Sequence, residues 1–541
     1  MTTFAQPKTT TPSNSSSAAA RGKSAIVIGG GLAGLASAVE MASHGVRVTL
    51  VERNAHLGGK MNVLSEGGYT FDMGPTIITL PQVLRGIIRR SGRRPEDYIN
   101  LVNLDPQWRC HYEDGTVIDL RLKLADTIAG LEKQFPGQGA GRGFQSFVEY
   151  SRRMLRLSEK VFFYRDLGGV LDMMFSPPKD PGLMGDVLAM RMYSTVGATV
   201  HKHIKEPHTQ QMCEHFLQYV GSSPFLAPAI LSLIAACQTD HGCWYPMGGT
   251  RMVARTLATV AREQGIDVRL GVGVAKINHE GGRAVGVTLD DGATLRADVV
   301  VSNCDVQRTN RELLDTPRAK SEARSLANNY TPACSGVVLY LGLSRQYEHL
   351  AHHNFLFSKD SRAEFGDIYS AGIPARDPTI YLAVPSRSDK DQAPAGHEAF
   401  YALIHTPYAR PGQKWEGKGG LLEAYRPVII DKLKRFGMSD IEKHIVVDRW
   451  LTPEGIERLY NAEGGAIYGL ASHGKLKGGF KPRNRSRVLK GLYLAGGSAN
   501  PGPGVPMVLM SGVTAGRSAC QDLGVRVEEG IALGEGVEVG L

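Results

Sequence analysis

One segment, residues 24–59, constrains the fold of this chain more than any other. It begins with an apolar, β-branched run at residues 25–28, which fits a strand buried on both faces of a parallel sheet. The run leads directly into a turn that matches G-x-G-x-x-G at Gly29, Gly31 and Gly34. In such a turn the first glycine allows a tight bend, the second lets a phosphate approach the backbone, and the third lets the following helix pack closely on the strand. The segment therefore predicts a strand–turn–helix unit that holds a phosphate at the helix N-terminus.

The residues after the turn complete a larger unit. A stripe of apolar residues predicts a helix over residues 33–43, and residues 46–51 predict a second buried strand that ends at Glu52. Glu52 follows Gly34 by 18 residues, a spacing at which an acid accepts hydrogen bonds from ribose hydroxyls. Strand, glycine turn, helix, strand and acid together predict a Rossmann-type dinucleotide-binding domain in an α/β protein.

The type of dinucleotide follows from the residues around Glu52. An acid at this position disfavours NADP and is compatible with NAD and with FAD. Soon afterwards come the pair Gly58-Gly59 and Lys60. The paired glycine resembles the second glycine motif of flavoproteins with two dinucleotide-binding domains, which implies a second close pass of the backbone over an extended FAD. The resemblance favours FAD as cofactor, with a first set of binding residues at Gly29, Gly31, Leu32, Ala33, Gly34, Glu52, Arg53, Gly59 and Lys60.

A second glycine-rich stretch lies near the C-terminus. Residues 491–497 predict a strand that ends in two glycines, and residues 507–523 predict a helix with a proline in its first turn. A helix start directs N–H groups and a positive dipole toward an electron-rich group, here the flavin pyrimidine, and stabilises negative charge on the reduced ring. We expect the flavin to lie against four of these residues, Gly496, Gly497, Pro506 and Met507. An ordinary Gly/Pro turn is the alternative.

These stretches, and others in the same order, resemble the motifs of bacterial-type phytoene desaturases and related carotenoid oxidoreductases, a group of amine oxidase-like flavoproteins. The resemblance covers roughly residues 25–523 and is weakest between residues 110 and 216. The matching segments are residues 71–76 (FDMGPT), 244–250 (WYPMGGT), 299–305 (VVVSNCD), 393–398 (APAGHE) and 500–506 (NPGPGVP). Asn500 stands where that group usually carries His, and Cys304 where it usually carries Ala.

The resemblance implies a flavoenzyme that dehydrogenates a long polyene. A hydride equivalent passes to FAD and a proton leaves the neighbouring carbon, so that phytoene or a related C30 or C40 chain gains a conjugated double bond. Relatives with the same frame oxidise terminal methyl groups or isomerise or saturate polyenes, so a carotenoid oxygenase and an isomerase or saturase stay open. A non-catalytic FAD-bound subunit of a pigment complex also stays open. An amine oxidase is a distant alternative, because it requires an aromatic sandwich around the flavin, whereas residues 508–510 are Val, Leu and Met.

The same resemblance implies further site residues. The loop at residues 71–76 lies near the flavin, and Val274 passes its backbone near the adenine. The added FAD-binding residues are therefore Gly74, Pro75, Thr76 and Val274. Asp72 is the acid to test first for proton transfer, and a carboxylate that caps the turn is the alternative. Asn500 is the second candidate catalytic residue, although an amide does not titrate near neutral pH. The sequence shows no cluster with metal-ligand spacing, so no metal site is expected, in keeping with chemistry carried by the flavin.

The order of the motifs predicts a discontinuous arrangement. An FAD-binding domain would be assembled from three stretches, residues 23–104, 246–305 and 482–524. The two insertions would form an α+β substrate domain, residues 105–245 and 306–481. The first 22 residues are rich in Thr, Ser and Ala, which predicts a disordered tail, with a transit peptide as the alternative. Residues 525–541 predict a second flexible tail.

Composition limits the other function classes. The longest apolar run, residues 225–237, is shorter than the ~20 residues of a membrane-spanning helix. The net charge of +9 is dispersed and lacks the aromatic-interleaved motifs of nucleic-acid-binding modules, so no nucleic acid is expected as a partner. Seven cysteines without a C-x-x-C pair predict free thiols in a reducing compartment.

Membrane contact is predicted by three apolar runs together with the resemblance. These runs, residues 161–164, 171–175 and 225–237, have basic side chains nearby. They predict a cytoplasmic protein that associates peripherally with the membrane and draws a lipophilic polyene from it, whereas core helices with a basic face are the alternative. The electron acceptor, oxygen or a quinone, stays open.

Overall fold

The computed structural model describes residues 20, 22–169, 172, 190–191, 193–474 and 478–527. Its strands are β1 (Ser24–Ile28), β2 (Arg47–Glu52), β3 (Val63–Glu66), β4 (Tyr69–Asp72), β5 (Leu101–Asn103), β6 (Trp108–His111), β7 (Val117–Leu120), β8 (Trp244–Pro246), β9 (Asp267–Leu270), β10 (Val274–Glu280), β11 (Arg283–Leu289), β12 (Thr294–Arg296), β13 (Val299–Ser302), β14 (Ser335–Leu343), β15 (His353–Leu356), β16 (Ile380–Ala383), β17 (Glu398–Thr406), β18 (Ile445–Leu451) and β19 (Leu492–Leu494).

Its α-helices are α1 (Leu32–Ser43), α2 (Pro81–Arg90), α3 (Leu124–Gln134), α4 (Ala140–Val161), α5 (Val196–His203), α6 (Pro207–His215), α7 (Leu233–Thr239), α8 (Arg251–Glu263), α9 (Val306–Glu312), α10 (Pro317–Asn329), α11 (Ser361–Gly366), α12 (Leu421–Arg435), α13 (Ile441–His444), α14 (Pro453–Tyr460) and α15 (Val505–Asp522).

A five-stranded parallel sheet organises the first part of the fold, with the strand order β19-β13-β1-β2-β9. Val27 in the central strand pairs with Val301 on one side and Leu50 on the other, and all three are fully buried. One face packs against α1 and α15, and the opposite face packs against the antiparallel sheet β10-β11-β12. Burial on both faces explains why β1 and β13 are almost continuously apolar.

A seven-stranded mixed sheet organises the second part, in the order β18-β14-β17-β16-β15-β6-β7. Its neighbours are antiparallel except for β15 and β6, which are parallel. Alternate residues of each strand point to opposite faces. Phe400, Ala402 and Ile404 of β17 therefore pack with α12 on one face, whereas Tyr401 and Leu403 belong to the core on the other.

The predicted mixed α/β fold with a parallel sheet is confirmed, and its first unit agrees closely with the sequence pattern. The predicted helix 33–43 is observed as α1, and the predicted strand that ends at Glu52 is β2. The five strands of the parallel sheet come from stretches 23–104, 246–305 and 482–524. The division into two domains stays a prediction, and the two predicted tails lie mostly outside the described residues.

The apolar runs that predict membrane contact are largely inside the protein where the structure describes them. Phe162 and Phe163 are each only 7% exposed, and most of residues 225–237 are buried. The run 171–175 lies outside the described residues, apart from Asp172. Within the described ranges, no helix has the length and apolar character needed to cross a bilayer. Membrane contact stays a prediction.

Candidate active site

The glycine turn after β1 shapes one end of a cavity of about 480 Å³. Gly29 has a φ of +91°, so the chain reverses there in a conformation that favours glycine. α1 follows, and its N-cap residue Gly31 has no side chain with which to cap the helix. Gly31, Leu32 and Ala33 line the cavity, which leaves the free N–H groups of the first helical turn available to an anionic ligand.

Close packing explains the glycines of this turn. A Cβ atom on Gly34 would lie 2.0 Å from the carbonyl oxygen of Gly29, and one on Gly31 would lie 2.7 Å from Oδ1 of Asn303. The Gly34 N–H donates to that same Asn303 oxygen at 3.0 Å, and Asn303 Nδ2 donates to the Ala495 carbonyl at 3.1 Å. Asn303 thus joins the N-terminal glycine turn to the end of β19.

The carboxylate of Glu52 is fixed beside the turn. Its Oε2 accepts the Gly30 N–H at 2.7 Å and its Oε1 accepts the Asn54 N–H at 2.8 Å. The side chain is 7% exposed and lines the cavity. A carboxylate held in this way is in place to receive ribose hydroxyls.

Glu52→Gln is expected to weaken FAD binding by roughly tenfold to a hundredfold, because a neutral amide replaces a charged acceptor whose hydrogen bonds contribute about 1.5–3 kcal/mol. Titration of the apoprotein with FAD, followed by flavin fluorescence, measures this change. Glu280→Gln, at the exposed end of β10, is the matched control and should bind FAD as the unmodified protein does. An unchanged dissociation constant for Glu52→Gln would contradict this assignment.

The second glycine pair brings another loop onto the same cavity. The Gly58 N–H donates to the Gly30 carbonyl at 2.8 Å, and Gly59 lies so close that its Cβ would be 3.2 Å from the Gly31 Cα. Lys60 donates from Nζ to the Ala466 and Ile467 carbonyls, both at 2.8 Å, and burial lowers its pKa to about 8. The side chain of Lys60 therefore fastens this loop to the opposite wall.

The loop at residues 71–76 closes the cavity on a further side. A Cβ atom on Gly74 would lie 2.0 Å from the Lys60 carbonyl oxygen, so only glycine fits there. The Thr76 hydroxyl is 2.5 Å from the Tyr381 hydroxyl, which is in turn 2.9 Å from Nδ1 of His353. This connection ties the loop to the seven-stranded sheet.

The C-terminal glycines complete the ring of backbone around the cavity. The Gly496 N–H donates to Oγ of Ser511 at 3.1 Å, and Gly496 and Gly497 both line the cavity. α15 begins next to them and packs tightly on α1, since a Cβ on Gly512 would lie 2.2 Å from the Ala33 carbonyl oxygen. The N-termini of α1 and α15 both face the cavity.

A row of side chains from the seven-stranded sheet forms the floor of the cavity. In register across four strands lie Val338, Leu403, Tyr381 and Phe355, and each of them lines the cavity. The rings of Phe355 and Tyr381 are stacked with centroids 5.0 Å apart, and Trp108 lies 4.4 Å from Phe355. We name these five residues the aromatic floor. The Phe355 and Tyr381 rings are 26° from parallel and Trp108 is tilted by 49° to Phe355, so the floor is a largely apolar surface of packed side chains.

This lining fits FAD. Bare backbone at the glycines admits a pyrophosphate and Glu52 suits a ribose, while Val274 lines the cavity and its contact with the adenine stays a prediction. The predicted residues that line the cavity are Gly29, Gly31, Leu32, Ala33, Glu52, Arg53, Gly59, Lys60, Gly74, Pro75, Thr76, Val274, Gly496 and Gly497. Three predicted residues are not part of the lining. Pro506 and Met507 lie in the first turn of α15, directly after the lining residue Val505, and Gly34 directly follows the lining residue Ala33.

Asp72 is not among the described residues that line the cavity. Its Oδ2 accepts the Thr250 N–H at 2.8 Å and its Oδ1 accepts the Arg251 N–H at 3.3 Å, so the carboxylate sits at the N-terminus of α8. Burial raises the pKa of Asp72, and the hydrogen bonds from Thr250 and the charge of Arg251 oppose that rise. This placement resembles a helix cap, and a catalytic role for Asp72 stays a prediction.

Asn500 is also placed outside the cavity lining. It is 1% exposed, and its Nδ2 donates to the Arg165 carbonyl at 2.5 Å while its own carbonyl accepts from Asn484 at 3.0 Å. These bonds hold the loop that leads into α15. A catalytic role for Asn500 likewise stays a prediction.

Sequence reasoning missed two features of the cavity. Asn303 lies in the matched segment 299–305, but its role as a bridge between distant glycine turns became evident only in the structure. The aromatic floor was missed altogether. Tyr401, Leu403 and His405 alternate along β17, and this period of two was the signal available for one face of the sheet.

Comparisons with known proteins agree with this geometry. A family model for flavin containing amine oxidoreductase matches residues 32–520. The chain is 37% identical over 487 residues to a 4,4'-diapolycopene oxygenase of Methylomonas sp., which covers 90% of this chain and 96% of that protein. It is 36% identical over 490 residues to a 4,4'-diaponeurosporene oxygenase of Staphylococcus haemolyticus, with 91% and 95% covered.

Solved structures share the fold. An oxidoreductase from Methanosarcina mazei has a TM-score of 0.59 at 17% identity, covering 91% of this chain and 99% of that one. A putrescine oxidase has a TM-score of 0.60 at 13% identity, covering 93% and 99%. With the dinucleotide cradle in place, the cofactor is FAD and the protein is a flavin-dependent oxidoreductase. The chain therefore belongs to the flavin-containing amine oxidoreductase family, in the homologous group that includes the Methylomonas and Staphylococcus oxygenases.

Proposed function

We propose that this protein is an FAD-dependent oxygenase that acts on the end of an acyclic carotenoid. The observation that carries the proposal is the aromatic floor, which continues from the dinucleotide cradle within one cavity. An apolar, conjugated chain matches an apolar floor of packed aromatic and aliphatic side chains, because its burial removes apolar surface from water on both partners. The names of the two relatives supply the substrate class, polyenes of the diapolycopene or diaponeurosporene type.

Different residues of the chain bind the cofactor and the substrate. Bound FAD supplies the two-electron redox chemistry that no side chain of this cavity provides. The glycine turns and Glu52 hold the dinucleotide, while Phe355, Tyr381 and Leu403 orient the substrate and exclude water. An apolar chain offers few groups for hydrogen bonding. Its orientation by packing against these side chains therefore contributes much of the rate enhancement.

Desaturation of phytoene is the second candidate, supported by the desaturase-like motifs from residue 71 to residue 506. The relatives with the strongest similarity reported above are named oxygenases, so we place oxygenation first. Peripheral membrane contact and a cytoplasmic location are predictions that accompany either candidate, and the electron acceptor, oxygen or a quinone, stays open.

Product analysis distinguishes the two. FAD-loaded protein is incubated under air in liposomes with 4,4'-diapolycopene or with phytoene, with and without a chemical reductant of the flavin, and products are separated and weighed by mass spectrometry. We expect diapolycopene to gain oxygen at a chain end and phytoene to be unchanged. Phytoene products lighter by pairs of hydrogen atoms, with absorption at longer wavelength, would contradict the proposal and establish the desaturase.

A further inference from the structure

The aromatic floor ends in a group of polar side chains. His405 follows Leu403 by two residues on β17, so both side chains lie on the same face of the sheet. Tyr468 lies beside it, with its hydroxyl 3.4 Å from Nε2 of His405. Both residues line the cavity.

Tyr468 is fixed next to the predicted flavin-binding glycines. A Cβ atom on Gly221 would lie 2.3 Å from the Tyr468 ring, so the ring rests directly on that backbone. The Tyr468 carbonyl oxygen would lie 3.5 Å from a Cβ on Gly497. The polar group therefore occupies the end of the cavity where the C-terminal glycines meet the floor.

A third polar residue faces the same region. His215, at the end of α6, lines the cavity and is 4% exposed. Its ring is held edge-on against Phe355 at 4.8 Å and Phe357 at 5.2 Å. Among the described residues no hydrogen-bond partner reaches its Nε2. An unpaired buried nitrogen is costly unless a ligand supplies the missing partner.

We propose that His215, His405 and Tyr468 form a hydrogen-bonding subsite for a hydroxyl or carbonyl group on the end of the polyene. This inference rests on the proposed function and extends it, because it assigns to the cavity a substrate that already carries oxygen. Such a substrate is the product of a first oxidation at the chain end. The three residues act as specificity determinants and take no part in electron transfer.

The charge state of the subsite selects neutral oxygen groups. Burial lowers the pKa of His405 to about 4, and burial together with the neighbouring His405 lowers the pKa of His215 well below its usual range. Both imidazoles are therefore neutral near pH 7, and each offers one donor and one acceptor. A terminal alcohol or aldehyde satisfies these groups, whereas the two neutral imidazoles would not offset the charge of a carboxylate.

The existing contact within the subsite is weak enough to be replaced. The 3.4 Å separation of Tyr468 and His405 is longer than the usual O–H hydrogen bond of about 2.7–2.8 Å. When a substrate oxygen lies between or beside these two side chains, shorter hydrogen bonds to that oxygen replace the long bond between Tyr468 and His405. The gain is confined to substrates with an oxygen at the correct end.

Binding of a matched pair of ligands tests the subsite. FAD-loaded protein is titrated with 4,4'-diapolycopene and with its terminal alcohol in detergent micelles, and the perturbation of the flavin spectrum gives both dissociation constants. We expect the alcohol to bind about tenfold more tightly than the hydrocarbon, the effect of one or two buried hydrogen bonds. Tyr468→Phe and His405→Leu should remove this preference while the hydrocarbon constant changes little. His405→Gln, which keeps a donor and an acceptor, should restore part of it.

Tyr401→Phe is the matched control. It removes a hydroxyl from the same face of β17, four residues and about 13 Å from His405 along the strand, and should keep the preference for the alcohol. Equal binding of the two ligands by the unmodified protein would overturn the inference, as would a parallel loss of both affinities in the variants. Because the binding test needs no turnover, it can be interpreted even if the product assay contradicts the oxygenase proposal.

Discussion

Gly34→Ala is expected to abolish retention of FAD. The new methyl group would lie 2.0 Å from the Gly29 carbonyl oxygen, far inside van der Waals contact, and that oxygen and the Cα that carries the methyl group both belong to backbone. α1 must then shift away from the glycine turn, which also breaks the bond from the Gly34 N–H to Asn303. Overpacking of this kind costs about 1–3 kcal/mol or more, and here it falls directly on the phosphate cradle. The absorption ratio of flavin to protein after purification measures the loss.

Gly130→Ala supplies the control for this prediction. Gly130 lies within α3, and a methyl group there would have no atom of the described chain within 4 Å other than the local helix. Alanine there should stabilise the helix by about 0.5–1 kcal/mol and leave FAD content unchanged. Normal flavin content in Gly34→Ala would show that the turn tolerates a side chain, and the assignment of the cradle would be wrong.

Asp72→Ala is expected to lower the free energy of unfolding by about 3–5 kcal/mol. The substitution leaves the Thr250 and Arg251 N–H groups and the buried Arg251 guanidinium without their carboxylate. Asp72→Asn keeps one acceptor and should cost less, about 1–2 kcal/mol. Chemical denaturation of the FAD-loaded protein measures both changes.

Turnover per bound flavin separates a structural from a catalytic role for Asp72. We expect Asp72→Asn to retain it, because the carboxylate contacts α8 rather than the cavity. Glu442→Gln, an exposed carboxylate next to Lys434, is the control for the loss of one charge. If Asp72→Asn were as stable as the unmodified protein but inactive, proton transfer by Asp72 would be the better explanation.

The dinucleotide half of the site could be predicted because its requirements are local. Gly29, Gly31, Gly34 and Glu52 are separated by short, fixed spacings, and backbone geometry leaves few substitutes for them. Asn303 escaped assignment because its two partners, Gly34 and Ala495, are far away along the chain. Only the sheet order reveals that these segments are adjacent.

The substrate half was harder to predict because its residues look like ordinary core. Phe355 and Tyr381 lie in short, fully buried strands, and nothing in a single strand indicates whether a given face meets a helix or a cavity. Three of the segments that suggested phytoene desaturation, residues 71–76, 299–305 and 500–506, contribute to the cavity lining, and they surround the predicted dinucleotide site rather than the aromatic floor. This explains why the sequence motifs favoured desaturation, whereas the similarity to named oxygenases favours oxygenation.

The parallel sheet also dictates when a newly made chain can first hold its cofactor. β19 pairs with β13, and α15 covers α1, yet both are encoded in the last tenth of the sequence. While the ribosome is still adding these residues, β13 presents an open edge and the apolar side of α1 is uncovered, the kind of surface on which nascent chains associate wrongly. A chain that ends before residue 492 therefore has its first glycine turn complete but lacks β19 and α15, and we expect it to expose apolar surface until α15 has docked.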